Sequence, residues 1–268
     1  MGRAGGPRGG GAHGGGGRRG RDPRRGGGAG GRAGGARRSG PHERDDARRR
    51  SPKVHGALPT SVAEEIRATA RGPGGQEALR LVEAAVADVE RDRPDPAVRA
   101  ATRAKELAPR AASIREILGI ALYRTGRFRD AMRELQAYRR LSGRLDQNHL
   151  IADCQRALGA PEKAVTIAQE TIAAPRLRDE VRAETAVVGG AALADLERFD
   201  EALTLLRRYR GTQGGARPHD LRVWYATADV LARAGRREEA IAEFRKILRH
   251  DAGAFDAAER VAALEGSR

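Results

Sequence analysis

Residues 112–141 read ASIREILGIALYRTGRFRDAMRELQAYRRL, and this stretch decides the fold. Ile114, Ile117, Leu118, Ala121 and Leu122 recur three and four residues apart, which puts them on one face of an α-helix. Gly126 interrupts the pattern, and a second stripe follows with Phe128, Ala131, Met132, Leu135 and Tyr138. The break is too short for anything but a tight turn, so the segment predicts two antiparallel helices sharing an apolar seam. Gly119 lies inside the first helix, where it costs about 1 kcal/mol relative to Ala. Its presence there predicts that the second helix approaches closely at that point.

Working outward, Ala131 belongs to a series at Ala97, Ala131, Ala164, Ala202 and Ala240, with intervals of 34, 33, 38 and 38 residues. Each lies near the start of a short apolar helical pattern. Recurrence at this period predicts stacked helical hairpins, in which each unit buries its apolar face on its neighbours.

The residues of these units resemble the tetratricopeptide repeat family. Its pattern has a Trp, Leu-Gly and a Tyr in the first helix, an Ala opening the second, and a large apolar residue one turn later. Leu118-Gly119, Leu122, Gly126, Phe128, Ala131 and Leu135 fall where that pattern wants them. Trp224, Ala228, Leu231, Gly235, Ala240 and Phe244 keep the same spacing, with Ala in place of the helix Gly. Gly189-Gly190, Leu193, Phe199, Ala202, Leu206 and Tyr209 form another unit, and Ile151-Ala152, Gly159, Pro161, Ala164 and Ala168 a more degenerate one.

The resemblance covers roughly residues 76–264 and implies an all-α, right-handed superhelical solenoid of stacked antiparallel helix pairs. The expected units are about 76–109, 112–143, 145–176, 183–214 and 221–252, closed by a capping helix over 254–264. Gly119, Ala131, Ala164, Gly190, Ala202, Trp224 and Ala240 are the expected structural repeat residues. In the first unit the stripe Leu79, Val82, Val86 and Val89 runs about two residues early, which places extra length in the turn at Pro94-Asp95-Pro96. The 38-residue intervals imply longer connections near Arg176–Asp179 and Thr212–His219.

Residues 1–50 contrast with everything after them. They hold 19 of the 35 Gly, fourteen Arg against four acids, and no aromatic residue, so they carry +10 of the chain's +15. Such a segment cannot bury enough apolar surface to offset the entropy of ordering it. A disordered basic tail is expected over 1–58. Residues 59–75 read as a short helix capped by Thr60-Ser61, followed by a Gly/Pro linker.

Cys154 is alone, which excludes an intrachain disulfide and suits a reducing compartment. No apolar run has the length of a membrane span or the pattern of a signal segment, so the expected location is the cytoplasm, with no membrane association. Arg outnumbers Lys 47 to 4 and Asn148 is the sole Asn, a bias that points to a bacterium with a GC-rich genome.

No catalytic constellation emerges. The Gly runs lack the Lys-Ser/Thr of a phosphate-binding loop, His42-Glu43 is not followed by the second His of a zinc motif, and Cys154 has no base on its face. The reading is a non-enzymatic scaffold or adaptor without cofactor or metal, acting on protein partners. The family resemblance implies a concave groove lined by first helices, with Glu116, Ile120, Tyr123, His149, Asp153, Arg156, Glu184, Arg222, Tyr225, Asp229 and Arg233 near it. One version of the family clamps a chaperone's C-terminal carboxylate with basic side chains. Glu116, Ile120, Leu150, Glu184 and Val188 stand in those places, so that specificity is not expected. The alternative is nucleic-acid contact through the tail, with Arg8, Arg18, Arg19, Arg24, Arg25, Arg37 and Arg38 neutralising phosphates.

Overall fold

A computed structural model describes residues 58–211 and 217–266. The expected tail over 1–58, with the seven arginines expected to contact phosphates, falls outside them except for its last residue, as do residues 212–216 of the expected loop at 212–219. Twelve α-helices and no strand are found among the described residues. They are α1 (Thr60–Thr69), α2 (Gly75–Glu90), α3 (Pro94–Leu107), α4 (Ala112–Arg124), α5 (Phe128–Ser142) and α6 (Asn148–Ala157). The second half continues with α7 (Pro161–Ala173), α8 (Asp179–Asp195), α9 (Phe199–Arg207), α10 (Pro218–Arg233), α11 (Arg237–His250) and α12 (Ala257–Gly266).

From α2 to α11 the helices form five hairpins, and each first helix also packs on the first helix of the next hairpin: α2 on α4, α4 on α6, α6 on α8, α8 on α10. The result is the helical solenoid that the repeat period predicts. Within α4 and α5, a β-carbon added at Gly119 would lie 2.6 Å from Leu135 Cγ and 2.7 Å from Cδ2. The glycine therefore lets the seam close, as its place inside the helix implied.

One turn joins the helices in all five hairpins. In the second hairpin Gly126 N–H donates to the Tyr123 carbonyl and Arg127 N–H to that of Leu122, with Gly126 at φ +75°. Gly159 and Gly235 repeat this geometry at φ +80° and +75°. In the first and fourth hairpins the same left-handed position holds Asp92 (φ 53°) and Glu197 (φ 60°). The first turn is thus no longer than the others, because α2 ends at Glu90 and α3 restarts at Pro94. Its early stripe, Leu79, Val82, Val86 and Val89, is buried in a core shared with Ile66 of α1.

The α7–α8 connection, 174–178, is no longer than the α5–α6 connection, 143–147, contrary to the expectation of a longer connection near Arg176–Asp179; the extra residues of this repeat interval lengthen α8 instead. Arg182 holds the α7–α8 connection by donating to the carbonyls of Ile172, Ala174 (2.9 Å) and Leu177 (3.3 Å).

Both ends are closed. The α1 helix starts without a side-chain cap at Thr60 or Ser61; the Pro59 carbonyl accepts from Val62 and Ala63 instead. It docks on α2 and α4, with Ile66 fully buried. Glu65 reaches across to accept from the backbone N–H groups of Ala112 (2.6 Å) and Ser113 (3.2 Å), the open donors at the start of α4. At the far end α12 packs on α11 around Phe244, Ile247 and Ala257. It begins two residues after Phe255, which the 254–264 expectation had placed inside it; Phe255 sits at φ 55°, outside helical space.

Candidate partner-binding face

The first helices α4, α6, α8 and α10 lie side by side, which brings the eleven predicted groove residues onto neighbouring elements: Glu116, Ile120 and Tyr123 on α4; His149, Asp153 and Arg156 on α6; Glu184 on α8; Arg222, Tyr225, Asp229 and Arg233 on α10. Nine of them are joined in a ladder of hydrogen bonds and ion pairs, mostly from one helix to the next.

The ladder starts between α4 and α6, where Gln147 Nε2 donates to Glu116 Oε1 at 2.7 Å and the Tyr123 hydroxyl donates to Asp153. Arg156 donates from Nε to Asp153 (2.8 Å) and from Nη1 to Asp195 of α8 (3.1 Å). Asp195 also accepts from Arg233 of α10 at 2.9 Å, so one carboxylate bridges three first helices. Arg222 pairs with Glu184. Toward the end of the stack Tyr225 donates to Asp256 at 2.6 Å, and Arg260 of α12 pairs with Asp229.

Electrostatics follow from this pairing. Burial alone would lower the Arg156 pKa, but Asp153 and Asp195 outweigh it and hold the guanidinium charged more firmly than usual. Glu116 is shifted up, chiefly by burial, with Asp146 adding to the effect and the Gln147 hydrogen bond opposing it. His149 is pushed down to about 4 by burial. Its ring is therefore neutral near pH 7.

Burial separates the eleven by role. Ile120 and Tyr123 are 1 % exposed and belong to the apolar core, which leaves them almost no surface to offer. Asp153 is likewise buried. The side chains of Arg222, Asp229 and Arg233 keep 21 %, 31 % and 35 % exposure. Trp224 is core, donating to the Arg210 carbonyl at 2.7 Å. Cys154 is fully buried, and burial raises its thiol pKa well above the ordinary value.

Sequence reasoning did not single out Gln147, Asp195, Asp256 or Arg260. A signal existed: Arg156, Asp195 and Arg233 are 39 and 38 residues apart, and Glu184 and Arg222 are 38 apart, so opposite charges sit one repeat from each other. Complementary charges at the repeat interval mark neighbouring first helices.

On the second-helix side, a cleft of about 600 Å³ opens between α7 and α9, lined by Val165, Ile172, Leu193 and Leu205 with Gln169, Asp200 and Arg208 among its polar groups. Among the described residues, no cluster of three His, Cys, Asp or Glu side chains is arranged to hold a metal ion. No described helix is long and apolar enough to cross a membrane.

The family model described as tetratricopeptide repeat matches residues 82–144 and 189–260, half of the sequence. The chain belongs to the tetratricopeptide-repeat family. Among solved tetratricopeptide-repeat structures, the thermophilic protein TTC0263 of Thermus thermophilus superposes with a TM-score of 0.58 at 21% identity, over 71% of this chain and 98% of that one. MamA gives 0.49 at 17% identity over 69% and 96%, and YrrB, which has an unusual peptide-binding site, 0.46 at 18% over 68% and 90%. At these identities the likeness is one of fold. No curated protein matches the sequence.

Proposed function

We propose that this tetratricopeptide-repeat protein is a non-enzymatic scaffold that receives an extended segment or helix of a protein partner along the face formed by α4, α6, α8 and α10. The observation that carries the reading is the ladder through Asp195, which ties three first helices into one fixed polar surface. A surface ordered before binding loses less entropy when a partner arrives. Arg222, Tyr225, Asp229 and Arg233 are the contacts expected to face the partner, and Asp153 and Arg156 to hold that surface in shape. A carboxylate clamp does not fit a face whose basic groups are already paired with acids. A cytoplasmic location suits a chain whose lone cysteine needs no oxidising compartment.

The test is affinity capture from host lysate with the full chain, comparing wild type with Asp229→Lys/Arg233→Glu and with a control altered on the second-helix side, Glu201→Lys. Proteins recovered by wild type and the control, lost by the face variant and resistant to nuclease support the scaffold. Equal recovery by all three overturns it. The fourteen arginines of residues 1–50 favour a second reading, phosphate contact by the tail. That reading predicts recovery that disappears with nuclease and is indifferent to the face variant.

A further inference from the structure

On the second-helix side, α7 and α9 both pack on α8, and the cleft of about 600 Å³ lies between them. Val165 and Ile172 wall it from α7, Leu205 from α9, and Gly189 and Leu193 come from α8. Gly189 directly precedes the small residue Gly190, the place that Leu118 and Ile151 take before Gly119 and Ala152 in the two preceding hairpins. Those two side chains are almost fully buried, whereas the fourth hairpin has none at this place. The glycine also lets both second helices close in, since a β-carbon there would lie 3.0 Å from Ala168 Cβ and 3.1 Å from Leu205 Cδ2. An apolar slot results, and its volume falls within the roughly 300–1,000 Å³ of small-molecule sites.

The polar groups around the slot restrict what it can hold. Asp200, Thr204 and Arg208 recur four residues apart along α9, from its first turn to its C-cap, about 12 Å of helix axis. Glu201 is held by Arg198 through hydrogen bonds of 2.6 and 2.7 Å, and Asp200 interacts with the charge of Arg236. Arg208 is exposed and has no acid paired with it among the described residues. The lining therefore has one uncompensated charge, a positive one, at one end of an apolar floor. Its walls are helices, whose backbone groups bond along their own axes, so the slot presents no strand edge to the backbone of an extended peptide. A ligand without hydrogen-bonding groups along its length fits such a floor, and a carboxylate at one end matches the forked donors of a guanidinium.

We propose that this cleft is a binding site for an aliphatic carboxylate, with the chain between α7 and α9 over Leu193 and Leu205 and the head group on Arg208. The site lies on the second-helix side and not on the first-helix face read as the partner surface, so it goes beyond the scaffold reading and does not depend on it. A chain bound there touches α7 of the third hairpin and α9 of the fourth, and so braces one repeat against the next.

The test titrates the full chain by calorimetry with decanoate, below its micelle-forming concentration, and with decanol, which has the same chain and no charge. The expected result is one saturable site per chain that binds decanoate at least about tenfold more tightly than decanol. Decanoate affinity is expected to fall at least about tenfold in Arg208→Gln, to be lost in Thr204→Trp, whose indole fills the slot, and to be unchanged in Arg129→Gln, which removes an exposed arginine of α5. Thr204 and Arg208 are both exposed, so these variants keep the fold, which thermal melts verify; Gln169→Trp fills the slot from the opposite wall if Thr204→Trp does not fold. A diazirine-bearing decanoate is expected to label peptides spanning 161–173 and 199–208. Binding that does not saturate at one site, equal affinity for decanol, an Arg208→Gln variant no weaker than Arg129→Gln, or labels elsewhere overturn the proposal. Partner capture by the first-helix face, measured as above, is a separate readout: capture without decanoate binding removes the carboxylate site alone and leaves the scaffold standing.

Discussion

The Tyr123 hydroxyl donates to the Asp153 carboxylate across the α4–α6 interface, with both residues buried, and the same carboxylate receives Arg156. An aromatic side chain in the core of one hairpin thus fixes a charged group of the next. Tyr123→Phe removes the donor and leaves Asp153 buried with less compensation, which costs about 1–2 kcal/mol. The expected reading is a melting temperature lower by roughly 3–6 °C, with added amide exchange in α4 and α6 rather than in α10 and α11.

Gly119 tests the helix register directly. Gly119→Leu drives a side chain into Leu135 and destabilises by about 1–3 kcal/mol as overpacking does. Gly119→Ala shares the fault, since its methyl meets Leu135 at once, although Ala is the better helix former by about 1 kcal/mol. Adding Leu135→Ala to Gly119→Ala is expected to cost less than the sum of the two single changes. Additive thermal shifts would show that the residues do not touch.

Glu197 occupies the left-handed turn position that Gly126, Gly159 and Gly235 occupy elsewhere. A non-glycine residue there carries strain of about 1 kcal/mol. Glu197→Gly is expected to raise the melting temperature by roughly 2–4 °C, a stabilising glycine substitution that holds only if φ is positive at that site.

His149 makes stability depend on pH. Burial, aided by Arg222 and opposed by Asp146 and Asp153, brings its pKa down to about 4 from 6.5. Between those values the unfolded ring takes up a proton that the folded ring does not, so stability falls as pH falls through this window. The full effect is about 3 kcal/mol by pH 4. Denaturant midpoints measured from pH 7 to pH 4.5 are expected to fall more steeply for wild type than for His149→Gln.

Glu65 ties α1 to the stack through two N–H groups of α4. Glu65→Ala costs about 1 kcal/mol, the worth of a helix cap. Hydrogen exchange is expected to rise in residues 58–70 and in the first turn of α4, with α8 to α11 unchanged.

Several features were legible in residues 112–141 because they are local. Helix periodicity, the break at Gly126 and the need for a small residue at 119 all follow from side chains within one hairpin, and the 33–38-residue recurrence extends that hairpin to the array. The turn at Asp92 and Glu197 was harder to see, since the positive φ is imposed by hydrogen bonds that the hairpin makes and not by the residue in it. Repeat position assigned the eleven residues to first helices, and they lie on α4, α6, α8 and α10. Which of them stay at the surface was not readable, because Ile120 and Tyr123 are covered by packing that depends on the angle between adjacent first helices.

The sequence by itself determined a helical repeat array and its units, since apolar period, turn glycines and repeat interval act over distances shorter than one hairpin. Only the tertiary structure decided that Asp195 joins Arg156 to Arg233, that Glu65 caps a helix 47 residues away, and that Gln147 and His149 line one cavity with Glu184 and Arg222. Those relationships arise between helices one repeat or more apart, where position depends on how the hairpins stack.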